Sequence, residues 1–130
     1  MEHIVYLDNN ATTMVAPEVF EAMLPYFSER YGNPSSLHSF GGNVAREIEQ
    51  ARARVAHLIG AHPDEIVFTG CGTESDSTAI RSALDQFPDR HHIITSAVEH
   101  PAILGLCGYL QKRGYQVTYL QIGETGQIDP

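Results

Sequence analysis

Lysine is nearly absent from this chain of 130 residues: Lys112 is the only one, and it stands in Gln-Lys-Arg-Gly, the composition of a solvated helix C-terminus. A basic surface is also missing, because 8 Lys and Arg stand against 16 Asp and Glu for a net charge of −8. That balance argues against nucleic acid and anionic membranes, and leaves small molecules and proteins as partners. No apolar run approaches the roughly 20 residues of a membrane span. The opening Met-Glu-His-Ile-Val-Tyr has neither the basic nor the apolar region of a signal peptide, so a cytoplasmic protein is expected. The two cysteines, Cys71 and Cys107, lack CxxC spacing, and the seven histidines contain no HExxH. Neither a metal site nor a disulfide framework is therefore indicated, and both cysteines read as small buried residues.

What is present is the composition of a packed chain, 42% hydrophobic and long enough for one core. Residues 1–15 read as an arm and turn, with Val5-Tyr6-Leu7 a short strand and Asp8–Thr13 a polar turn. Residues 16–130 read as one domain. Pro17 starts a helix at its favoured first position, with Val19, Phe20, Met23, Leu24 and Phe27 on one face and Pro25 kinking or ending it. Tyr31–Gly42 reads as a loop too polar and glycine-rich to pack by itself. From about Gly42 to Gly60, Val44, Ile48, Ala51, Val55, Leu58 and Ile59 form a helical stripe. A strand at Ile66–Phe68, a helix with the stripe Ile80, Ala83, Leu84 and Phe87, and a strand at His92–Thr95 follow. Glu99-His100-Pro101 then opens a helix striped by Ile103, Leu106, Cys107 and Leu110, and Gln116–Gln121 alternates as a strand. Strands alternating with helices predict an α/β fold with a mostly parallel sheet flanked by helices and sites at the carboxyl ends of strands.

The densest stretch runs from Glu65 to Ile80. An apolar strand, the glycines Gly70 and Gly72 with their access to positive φ, and a helix start capped by Thr73 or Ser75 follow in immediate succession. Asp76, three residues after Thr73, approximates a capping box, and Glu74 and Asp76 suit the positive end of the helix dipole. Amides exposed at such a turn form an anion site. A P-loop is excluded because no GxxxxGK[ST] occurs, and a dinucleotide fingerprint is weakened because Ser75 stands where a third glycine is needed. A single phosphate monoester, as on a phosphorylated cofactor, remains; the same pattern also describes a strand-to-helix connection with no ligand. On spacing alone, His100 reads as a helix cap.

Four ordered blocks then identify a family. YLDNNATT at Tyr6–Thr13, GNPSSLHSFG at Gly32–Gly41, FTGCGTESDSTAI at Phe68–Ile80 and EHP at Glu99–Pro101 resemble the pyridoxal-phosphate-dependent cysteine desulfurases, closest to the NifS type. The resemblance implies the type I fold of the class V aminotransferases, with this chain an incomplete large domain. It also implies a homodimer that converts L-cysteine to L-alanine and an enzyme persulfide. An iron–sulfur scaffold protein would accept the sulfur, in a pathway linked to nitrogenase. Gly72 and Thr73 match the phosphate-binding positions of pyridoxal 5'-phosphate, and His100 matches the histidine that stacks on its ring and can assist proton transfer. Asn10–Thr12 and Asn33–His38 resemble segments around the active-site mouth, without individual roles. Alternatives are another class V enzyme such as a selenocysteine lyase, or a non-catalytic module that binds a phosphate or a partner.

The same resemblance implies functional groups that this sequence does not contain: a Schiff-base lysine in an SxHK-type motif, an aspartate at the pyridinium nitrogen, a cysteine on a late mobile loop, and an arginine for the substrate carboxylate. The chain matches roughly the first third of such an enzyme. Incubated alone with pyridoxal phosphate and L-cysteine, it is expected to release no sulfide and to form no stoichiometric imine absorbance; an absorbance abolished by Lys112→Ala would overturn this.

Overall fold

The computed structural model describes residues 4–128; the expectations that touch 1–3 and 129–130 lie outside them. By compactness the chain divides into two units, Met1–Ile66 and Val67–Pro130.

In the first unit, helix α1 spans Pro17–Met23 and α2 spans Pro25–Ser28, each opened by its proline. The break between them falls where Pro25 has no amide to donate. Helix α3, Ser39–Ile59, is capped at one end by His38, whose Nδ1 accepts from the Gly41 amide at 3.2 Å, and at the other by Gly60 at φ 69°. A left-handed glycine there ends the helix without a Cβ penalty. Pro63–Glu65 forms a single 3-10 turn closed by a capping box, with the Glu65 carboxylate accepting from the His62 amide at 2.7 Å. The Arg52 guanidinium of α3 donates to the Ile66 carbonyl.

The loop before α3 packs against itself, contrary to the sequence reading, and its last residues are helical. Tyr31 meets the Phe40 ring edge-on at 5.2 Å. Gly41 lies so close to the loop that a Cβ on it would fall 2.2 Å from the Asn33 carbonyl oxygen and 2.8 Å from the Ser36 Cβ. Glycine supplies the missing volume, which is why a glycine-rich segment can close on itself.

The second unit is built on a parallel pair. Strand β1, His92–Ser96, and strand β2, Gln116–Leu120, run in register from His92 opposite Gln116 to Ser96 opposite Leu120, and helix α5, Pro101–Gln111, connects them. Helix α4, Gly72–Gln86, packs on α5. Leu106, Cys107 and Leu110 of α5 are buried, and Ser96 is the buried polar residue, its hydroxyl donating to Glu99 at 3.0 Å. Gly114, at φ 96°, makes the turn into β2. No helix among the described residues is long and apolar enough to cross a membrane.

Two expected strands are absent. Val5–Leu7 forms no ladder; instead the Tyr6 hydroxyl lies 2.9 Å from both the Asp8 and Thr12 carbonyls, folding the following turn back on it. The segment Ile66–Phe68 is not in a ladder either, although Ile66 has the extended φ of −97° and ψ of 123°. An extended apolar run becomes a strand only where a neighbour supplies backbone partners. The α3 stripe is also less buried than its periodicity suggests. Val44 and Ala56 are buried, but Val55, Leu58 and Ile59 are 40%, 83% and 65% exposed, because no described element of the unit covers that face.

Gly41→Ala is expected to lower the urea-unfolding free energy of the full-length protein by about 1–3 kcal/mol, an overpacking cost. Gly42→Ala, where an added Cβ meets nothing within 4 Å, is expected to be neutral or stabilising. Equal effects would show that the close approach to Asn33 is not what selects glycine.

Candidate functional site

Helix α4 begins at Gly72 with Cys71 as its flanking N-terminal residue, and the first rung of its ladder is the bond from the Ser75 amide to the Cys71 carbonyl at 3.1 Å. The amides of Gly72, Thr73 and Glu74 precede that rung, so they have no carbonyl of the helix to reach. Aligned with the positive end of the dipole, they can receive an anion.

The turn is built differently from its sequence reading. Gly70 and Gly72 are not among the positive-φ glycines, which in the described residues are Gly60, Gly114 and Gly126. Neither Thr73 nor Ser75 caps the helix, and Asp76 does not complete a box with Thr73. Glu74 takes that part, accepting from the Gly70 amide at 2.6 Å. The Ser75 hydroxyl instead lies 2.5 Å from the Thr69 hydroxyl and 3.3 Å from the Cys71 carbonyl. The physical reason is register: the helix starts two residues earlier than a Thr73 cap requires, which places Glu74 at the third helical position, where a side chain reaches back to the preceding loop.

His100 is the cap of α5. Its Nδ1 accepts from the Ala102 amide at 3.2 Å, and Pro101 occupies the first helical position. An accepting Nδ1 carries no proton, so the neutral ring holds its proton on Nε2. The ring is thereby oriented by the helix it caps.

These two helix starts meet. A hollow of about 350 Å³ is lined by Cys71, Gly72, Thr73, Asp76 and His100. The structure thus brings Gly72, Thr73 and His100 to one hollow, the arrangement the cradle reading expects. His100 lies four residues beyond the carboxyl end of β1, as predicted; the other turn follows an unpaired segment rather than a strand. Cys71 and Asp76 are lining residues that the sequence reading missed. Asp76 was legible in principle, since residues three apart share a helix face. Cys71 is exposed, not buried as expected, because it stands at the mouth of the hollow ahead of the helix. Cys107 is buried as expected, and burial followed by the nearby Glu99 carboxylate pushes its thiol pKa up.

Lys112 flanks the far end of α5 and is exposed, as its sequence context suggested. In the first unit, Asn33 Oδ1 accepts from the Ser35 amide at 2.9 Å, and Asn9 Oδ1 from the Thr13 hydroxyl at 3.2 Å, so both asparagines shape their own turns. A larger hollow of about 520 Å³ there, between Arg30, Phe40, Asn43, Arg46 and Glu47, contains none of the candidate site residues Gly72, Thr73 and His100. No group of three or more metal-ligating side chains occurs among the described residues.

The geometry can be set beside known proteins. A cysteine desulfurase of Trichormus variabilis is 56% identical over 126 residues, covering 97% of this chain and 32% of its own length. The cysteine desulfurase NifS of Azotobacter vinelandii is 57% identical over 126 residues, covering 96% of this chain and 31% of its own. The chain therefore spans about a third of the length of these relatives. Among solved structures, a NifS-like protein superposes with a TM-score of 0.84 at 40% identity, over 91% of this chain and 33% of that one. SspA in complex with cysteine superposes with a TM-score of 0.86 at 40% identity, over 95% and 36%. Residues 5–130 match the aminotransferase class-V family, and the chain belongs to it.

Proposed function

We propose that this chain is the N-terminal portion of a cytoplasmic, homodimeric cysteine desulfurase that uses pyridoxal 5'-phosphate to convert L-cysteine to L-alanine. The sulfur would leave as an enzyme persulfide for an iron–sulfur scaffold protein, in a role linked to nitrogenase maturation. One observation carries the reading: the free amides of one helix start and the oriented imidazole of another line a single hollow in a chain 56–57% identical to cysteine desulfurases.

The residues fit the cofactor. A Cβ on Gly72 would meet no atom within 4 Å, and Gly72 does not have positive φ, so nothing inside the chain demands glycine there. A phosphate drawn up to the amides would. Gly72 and Thr73 would donate N–H bonds to its oxygens, and the Thr73 hydroxyl would add a third donor. When bound, the cofactor supplies an electron sink that makes bonds at the substrate's α-carbon labile. His100 would offer the face of its ring to the pyridine and the Nε2 proton to the reacting side, while Nδ1 stays tied to Ala102. The lysine, the acidic partner of the ring nitrogen, the sulfur-carrying cysteine and the carboxylate-binding arginine are assigned to the length of the relatives that this chain does not span.

His100 has two separable duties, cap and ring, and substitutions in the full-length protein divide them. His100→Asn keeps a capping acceptor, so stability is expected to stay within about 0.5 kcal/mol, whereas His100→Ala loses about 1 kcal/mol. Both variants are expected to lower the rate of alanine formation from L-cysteine by about 100-fold. Wild-type turnover in His100→Asn would confine this residue to capping and sink its catalytic role. Gly72→Ala is expected to leave stability unchanged or raise it by up to about 1 kcal/mol while weakening retention of pyridoxal phosphate. Undiminished retention would refute the cradle.

A further inference from the structure

About 14–20 Å along α4 from Gly72, taking about 1.5 Å per residue, the second halves of α4 and α5 enclose a separate groove. Its lining is Arg81, Leu84, Asp85, Tyr109, Leu110, Arg113 and Tyr115, and its volume is about 400 Å³. The Arg81 and Arg113 guanidinium carbons lie 5.4 and 4.8 Å from the centroid of the same Tyr109 ring, so they are within about 10 Å of each other. With Lys112, these are three of the chain's 8 basic residues. The helix C-terminus accounts for Lys112 and Arg113, whose charges suit its dipole, but not for Arg81, which comes from the other helix.

The ion pairs among the described residues are Arg30–Glu47, Arg52–Glu49 and His62–Asp64, none of which involves this groove. Asp85 lies one turn from Arg81 on α4, yet the two form no ion pair. Two like charges thus flank one aromatic ring, no more than about 10 Å apart and without an ion pair to Asp85, in a chain that is otherwise acidic.

We propose that this groove docks an acidic segment of a partner protein, which places a carboxylate between Arg81 and Arg113 and an apolar side chain against Leu84 and Tyr109. The planar guanidinium fork matches a carboxylate by paired hydrogen bonds. Arginine and tyrosine flanking a buried leucine are also the residue types that carry binding energy at protein interfaces. A free oxyanion would use the charges but leave the apolar floor uncovered. Nothing in this proposal depends on the reaction at the other end of the helices.

The test uses the full-length protein and a fluorescein-labelled peptide, Phe-Glu-Glu-Phe-Glu-Glu, read by fluorescence anisotropy. Micromolar binding that weakens with salt is expected. Arg81→Gln and Arg113→Gln should each weaken it about tenfold, and Asp85→Asn, which removes the repelling carboxylate, should tighten it. Affinity unchanged in both arginine variants overturns the proposal, as does no binding at about 1 mM peptide. Displacement by inorganic phosphate at fixed ionic strength also overturns it, by showing a site for small oxyanions instead of a peptide.

Discussion

Two parallel strands cannot be joined by a tight turn, because the chain must return to the end at which the first strand began before the second can start. Pairing of β1 with β2 therefore obliges the chain to leave Ser96, cross over as α5 and re-enter at Gln116. The crossover helix begins at the carboxyl end of β1 and so points its N-terminus at that end. His100 is where it is because of this constraint. The burial of Leu106, Cys107 and Leu110 fixes the face that α5 turns inward, and the bond from the Ala102 amide orients the capping ring.

Packing of α4 on α5 brings a second helix start to the same hollow. The consequence is chemical: one helix contributes amides, the other an imidazole whose proton position is set by its cap. The proposed anion binding and proton handling would thus both follow from how helices begin. Neither start requires a strained backbone. Gly72 is unconstrained by its neighbours, which marks it as a position whose smallness serves something outside the chain's own packing.

The exposed apolar faces have a simple physical meaning. Phe27, Leu37, Leu58 and Val67 are 73%, 106%, 83% and 71% exposed, although three of them lie in apolar patterns that the sequence marked as faces or strands. Periodicity reports which face of a helix is apolar; burial of that face requires a second surface. The relatives are about three times as long as this chain, and the first unit has one short 3-10 turn against α3 as its main tertiary contact.

Many local signals were legible in the residues, although the cap of α4 was not. Pro17 and Pro101 placed helix starts, Pro25, Gly60 and Gly114 marked breaks or ends, and the alternating runs near Ile93 and Val117 gave two strands, because propensity and φ constraints act within a few residues. The order of elements was enough for the parallel pairing, and the four sequence blocks were enough for the family. What tertiary structure alone decided was every matter of partnership. Val5–Leu7 and Ile66–Phe68 had the composition of strands but no ladder to join. Gly41 was one glycine among several until Asn33 closed on it. Cys71 and Asp76 entered the hollow only when α4 met α5. Sequence determines what each segment is able to form by local energetics; which of those options is realised depends on contacts between residues distant in the chain, whose energies no local pattern contains.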